Sequence, residues 1–142
     1  MKTRPLVLIA DDDRHIREAL ASRLVQDDFD VVSAGDASSA IALFEHREPA
    51  AAILDVRMPD ADGFAVCEHI RRSGSKIPVF FLTGTDESII RDHLAKLTAT
   101  AGGDYFVTKP YDGKTLVMML HDALKSKNCK IASEGPACAT RP

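Results

Sequence analysis

Short apolar runs alternate with longer amphipathic stretches five times along the chain, and that rhythm restricts the fold more than any other feature. Leu6-Val7-Leu8-Ile9-Ala10 is apolar at every position, as a strand covered on both faces must be, and is expected to form β1. Ile16, Ala19, Leu20 and Leu24 then recur at helical spacing and mark α1. Asp30–Ala34 is a second strand, β2, whose polar residues suit a sheet edge. Asp36 is placed to cap α2, where Ala37, Ala40, Ile41 and Phe44 form the apolar stripe. Ala51–Asp55 reads as β3, and Gly63–Ser73 as α3 with Phe64, Cys67 and Ile70 inward. Val79-Phe80-Phe81-Leu82 is β4, after punctuation by Gly74 and Pro78. A fourth helix, α4, runs from about Glu87 with Ile90, Leu94 and Leu97 on one face. Tyr105–Thr108 is β5, and Asp112 opens α5 with Leu116, Met119, Leu120 and Ala123 inward. A regular (βα)5 alternation of this kind predicts a doubly wound parallel sheet with helices on both faces.

Composition narrows the class further. The 142 residues are 45% apolar and 27% charged, the balance of one soluble globular domain. Residues 1–125 are expected to form that domain. Residues 126–142 show no periodicity and are expected to be a disordered tail. No apolar run reaches the roughly 18 residues a membrane span requires. Met1–Ala10 lacks the cleavage pattern of a signal peptide, so a cytoplasmic location is the expectation. The net charge of −3 divides into +2 for residues 126–142 and −5 for the remainder. An acidic body has no footprint for direct nucleic acid binding. Three cysteines, Cys67, Cys129 and Cys138, fit neither a disulfide framework nor a zinc site.

Ligands of open α/β sheets sit at the carboxyl ends of the strands. Here β1 ends in Asp11-Asp12-Asp13 and β3 in Asp55-Val56-Arg57-Met58-Pro59-Asp60-Ala61-Asp62-Gly63. β4 ends in Thr83-Gly84, and β5 in Thr108-Lys109-Pro110. One of the three leading aspartates is expected to cap α1. Three acids exceed that need, and Asp55 closes an otherwise apolar strand. Taken singly, Lys109 is a surface lysine, Thr83 or Thr85 a helix cap, and Asp62-Gly63 a turn. Together they make an all-oxygen set suited to Mg2+, with Mn2+ possible, beside a hydroxyl and an ammonium. Those are the parts phosphoryl transfer needs, including a carboxylate nucleophile.

In these motifs, Asp11-Asp12, Asp55-Val56-Arg57-Met58-Pro59 with Asp62-Gly63, Thr83-Gly84, and Lys109-Pro110, residues 5–125 resemble the response regulator receiver (CheY-like) family. The resemblance implies a flavodoxin-like fold with strand order 2-1-3-4-5. It makes Asp55 the phosphoacceptor. Asp12 and Asp55 would bind Mg2+ directly, with the Arg57 backbone carbonyl, and Asp11 through water. Thr83 and Phe106 would be the switch pair and Lys109 the phosphate-contacting cation. Arg57, Gly84 and Thr85 would tune phosphoryl lifetime, and the Lys109-Pro110 bond would be cis. Phe106 lacks the hydroxyl often found at the aromatic switch position, and Thr83 to Lys109 is about one helical turn longer than usual.

The function implied is that of a phosphoacceptor switch rather than an enzyme. A sensor histidine kinase or phosphotransfer protein would supply the phosphoryl group, and the α4-β5-α5 face would meet a downstream partner or a second copy. Met118, opposite the inward face of α5, is a candidate for that surface. Rival readings are the receiver portion of a larger DNA-binding regulator, an aspartyl-phosphate hydrolase and a flavodoxin-like cofactor binder. A hydrolase would carry its acceptor on the first strand, and a cofactor binder would avoid three acids in its first loop.

Overall fold

The computed structural model describes residues 4–83, 105–108 and 112–131. Within them β1(Leu6–Ala10), α1(Arg14–Gln26), β2(Asp30–Ala34), α2(Ala37–Arg47), β3(Ala51–Asp55), α3(Gly63–Arg72), β4(Val79–Thr83), β5(Tyr105–Thr108) and α5(Gly113–Ile131) follow one another. The stretch expected to form α4, with Gly84 and Thr85, lies outside the described residues, as do Lys109, Pro110 and residues 132–142.

All five strands run parallel in the order β2-β1-β3-β4-β5, so the expected doubly wound architecture and strand order hold. Alternate residues of each strand feed two separate cores. Leu8, Ala10, Ala52, Leu54 and Phe81 pack with Ala40 and Phe44 of α2 and Phe64, Cys67 and Ile70 of α3. Val7, Ile9, Ala51, Ile53, Phe80 and Leu82 pack with Leu20 and Leu24 of α1 and Leu116 and Leu120 of α5. This two-sided burial is why β1, β3 and β4 are apolar at nearly every position.

Two expectations need correction. Ala19 is exposed, so the inward stripe of α1 is narrower than its periodicity suggests and rests on Leu20 and Leu24. The last helix does not stop at Lys125 but continues to Ile131. Ser126 to Lys130 contain no glycine or proline to end it, and the first such pair is Gly135-Pro136. Other boundaries follow local chemistry: Asp36 caps α2 by accepting from the Ser39 amide at 2.7 Å. Gly74 follows α3 at φ +91°, a conformation natural to glycine. Glu48 ends α2 at φ 49° without that freedom.

Candidate metal and phosphoryl site

The strand order reverses direction between β1 and β3, and the ends of these two strands carry the acidic residues. That crevice is where an open α/β sheet binds its ligand.

The three aspartates after β1 divide their work. Asp11 is fully buried, with its amide on the Ala34 carbonyl at 3.1 Å. Its Oδ1 accepts from the Asp13 amide at 2.9 Å, which bends the chain into a turn. Asp13 caps α1, accepting from the amides of His15 at 2.9 Å and Ile16 at 3.3 Å. Asp12, exposed between them, has no capping duty. The expectation that one of the three caps the helix is thus met by Asp13.

Asp55 closes β3 at 7% exposure, against Leu82 in the register of β4. Oxygens of Asp11, Asp12 and Asp55 lie within 4.8 Å of one another. Carboxylates this close repel: at an effective dielectric of 20, two unit charges about 5 Å apart oppose each other by roughly 3 kcal/mol. A hard divalent cation held by oxygens reverses the sign of that interaction, so the donor set fits one.

Backbone packing holds the cluster in place. Gly63 sits so close under the end of β3 that a Cβ there would meet the Asp55 carbonyl oxygen at 2.4 Å. Asp62-Gly63 is therefore more than the turn expected from sequence: Asp62 caps α3 through the Ala65 amide at 3.0 Å, and Gly63 lets the helix approach the strand. Arg17 donates to the Asp11 carbonyl at 2.8 Å, passing over Gly35, whose missing side chain leaves room for the guanidinium. Neither contact is legible in the sequence, because nothing in the spacing of Arg17 and Gly35 marks them as neighbours.

Of the other expected site residues, Arg57 is exposed in the loop after β3. Thr83 ends β4, paired with Thr108, and Phe106 lies in β5, paired with Phe81. Their side chains, and the whole of Gly84, Thr85, Lys109 and Pro110, fall outside the described residues. Met118 is 63% exposed on α5. Among the described residues, no helix is long and apolar enough to cross a membrane.

A parallel sheet in this order, wound with helices on both faces, defines a flavodoxin-like fold. Comparison with known proteins narrows this. Residues 7–121 match the response regulator receiver domain family. The probable transcriptional regulator ycf27 of Guillardia theta is 35% identical over 128 residues, covering 90% of this chain and 48% of the relative. The probable transcriptional regulatory protein TcrX of Mycobacterium tuberculosis is 34% identical over 129 residues, covering 91% and 53%. The chain spans about half the length of these curated relatives. Among solved structures, the receiver domain of Francisella response regulator 1452 superposes with a TM-score of 0.77 at 25% identity, covering 87% of this chain and 99% of that one. A CheY-like receiver domain protein from Methanospirillum hungatei gives 0.81 at 21% identity, covering 90% and 99%, a likeness of fold. The chain belongs to the response regulator receiver domain family.

Proposed function

We propose that this receiver domain works as a phosphoacceptor switch in which Asp55 takes the phosphoryl group. The observation that carries this assignment is the convergence of Asp11, Asp12 and Asp55 at the β1–β3 switch point, with Asp55 the one that closes a central strand. The donor is a phosphohistidine on a sensor histidine kinase or phosphotransfer protein. A carboxylate oxygen of Asp55 attacks phosphorus, the P–N bond breaks, and the departing imidazole nitrogen takes up a proton. Asp12, Asp55 and the Arg57 carbonyl, with Asp11 through water, would hold Mg2+ or Mn2+, which supplies positive charge to the phosphoryl oxygens.

The remaining roles belong to the same proposal. Lys109 and Thr83 contact the phosphoryl oxygens. Arg57, Gly84 and Thr85 set how long the acyl phosphate lasts. Phosphorylation takes the Asp55 side chain from about −1 to about −2, and that added charge biases Thr83 and Phe106 between two arrangements. The shift is read on the α4-β5-α5 face by a downstream protein or a second copy, and the setting is cytoplasmic. As an acceptor, the domain is the recipient of transfer rather than a conventional enzyme. A second reading, that it is the receiver portion of a DNA-binding transcriptional regulator, is favoured by the names of the relatives and by the half-length match.

Incubation with acetyl [32P]phosphate and Mg2+ tests the assignment. Label is expected on the parent protein, absent from Asp55→Asn and abolished by EDTA. Label that survives either treatment would overturn it.

A further inference from the structure

The loop from Val56 to Asp62 joins the acceptor strand to α3. Its two ends are tied by backbone bonds, Val56 N–H to the Leu82 carbonyl at 3.1 Å and Gly63 N–H to the Val56 carbonyl at 2.9 Å. Between them, Met58 and Ala61 rest on the apolar core beneath α2 and α3. Asp60 does something different. Its carboxylate leaves the loop and accepts three hydrogen bonds from the first turn of α2. Oδ1 takes the Ala37 amide at 2.8 Å, and Oδ2 takes the Ser38 amide at 3.0 Å and the Ser38 hydroxyl at 2.8 Å.

Helix α2 already has a cap of its own. Asp36 accepts from the Ser39 amide at 2.7 Å, and its carbonyl takes the Ala40 amide at 3.1 Å. A helix N-terminus presents four unpaired amides, and here that of Ser39 goes to the Asp36 side chain and those of Ala37 and Ser38 to Asp60. The bonds to Asp60 therefore add a cross-link over 22 and 23 residues of chain, beyond what local capping requires. The cross-linked helix follows β2, whose last residue, Ala34, accepts from the amide of Asp11. A connected path thus runs from the loop that carries Arg57, through the start of α2 and the end of β2, to the buried carboxylate of the cluster.

We propose that Asp60 is a positioning residue for the cation site. It fixes the Val56–Asp62 loop, and with it the Arg57 backbone, relative to Asp11, Asp12 and Asp55. The role rests on the metal-dependent acceptor function proposed above. Asp60 touches neither cation nor phosphoryl group; it acts through the loop. Groups that orient a metal site from outside commonly change its affinity by about 10–100-fold when removed.

Calorimetric titration with magnesium chloride separates positioning from simple support of α2. Asp60→Ala is expected to weaken Mg2+ binding by about 10-fold. Asp60→Asn, which keeps one carbonyl acceptor, should fall between Asp60→Ala and the parent. Asp36→Ala removes the helix's own cap without touching the loop. It should lower thermal stability yet bind Mg2+ within about 2-fold of the parent, since loss of a cap acts on the helix alone. Phosphorylation by acetyl phosphate should show the Asp60→Ala deficit at low Mg2+ and lose it at saturating Mg2+. Parent-like Mg2+ binding by Asp60→Ala, or equal weakening by Asp36→Ala, would overturn the positioning role while leaving Asp55 as acceptor. A parent protein that binds no Mg2+ would overturn both.

Discussion

Two glycines head helices in this protein, and alanine should act on them with opposite sign. At Gly63 a Cβ would lie 2.4 Å from the Asp55 carbonyl oxygen and 3.2 Å from its carbon. An ordinary carbon–oxygen contact begins near 3.3 Å, so the overlap is about 0.9 Å, and it is against backbone that cannot swing away. Forced overpacking of this kind costs roughly 1–3 kcal/mol. Helix propensity returns at most about 1 kcal/mol in favour of alanine. The net expectation for Gly63→Ala is a loss of about 1–2 kcal/mol, or a fall in Tm of about 3–8 °C for a domain of this size. At Gly113, the first residue of α5, the nearest atom to a Cβ would be Arg23 Cγ at 3.7 Å, an ordinary contact. Gly113→Ala should therefore gain about 0.4–1 kcal/mol from reduced chain entropy. Thermal and urea unfolding of both variants measure the difference. Gly63→Ala as stable as the parent, or both variants shifted in the same direction, would refute the close approach of α3 to the acceptor strand.

Other consequences are as direct. Glu48 holds φ 49° at the end of α2, so Glu48→Gly should raise stability by about 0.5–1 kcal/mol in urea unfolding. The amide of Ala37, then the hydroxyl and amide of Ser38, pull the Asp60 carboxyl from its usual 3.8 down to about 2. A carboxyl depressed in the folded state stabilises the fold above its unfolded value and loses that contribution as pH falls through the folded one. The stability advantage of the parent over Asp60→Asn should accordingly shrink as pH drops from about 4 to about 2; a constant gap in urea midpoints would contradict it. Met118 is exposed on α5, so Met118→Glu should change unfolding free energy by less than about 0.5 kcal/mol. If that face meets a second copy, light scattering of the phosphorylated protein should show weaker association in the variant.

How much could be read from sequence depended on how local the physics is. Three of the five strands were legible because Leu6–Ala10, residues 51–54 and residues 79–82 feed both cores, which writes an unbroken apolar run into each. Asp36 was legible as a cap because its partner lies three residues on. The extension of α5 past Lys125 was not legible, because apolar periodicity reports packing of a helix face and not how far the helical backbone continues. The acidic cluster was legible as a set, since its members sit at strand ends the topology brings together. Its supports were not. Arg17 on the Asp11 carbonyl, Gly63 under Asp55 and Asp60 on α2 are contacts between elements, and no spacing rule encodes them.

The most direct test of the central claim is to locate the phosphoryl group chemically. Protein treated with acetyl phosphate and Mg2+ can be reduced with borohydride, which converts an aspartyl phosphate to homoserine, and then mapped by peptide mass spectrometry. The expected result is homoserine at position 55, absent when EDTA is present. Homoserine at position 11, 12 or 60 instead, or at position 55 regardless of EDTA, would contradict the assignment of Asp55 as the metal-assisted acceptor.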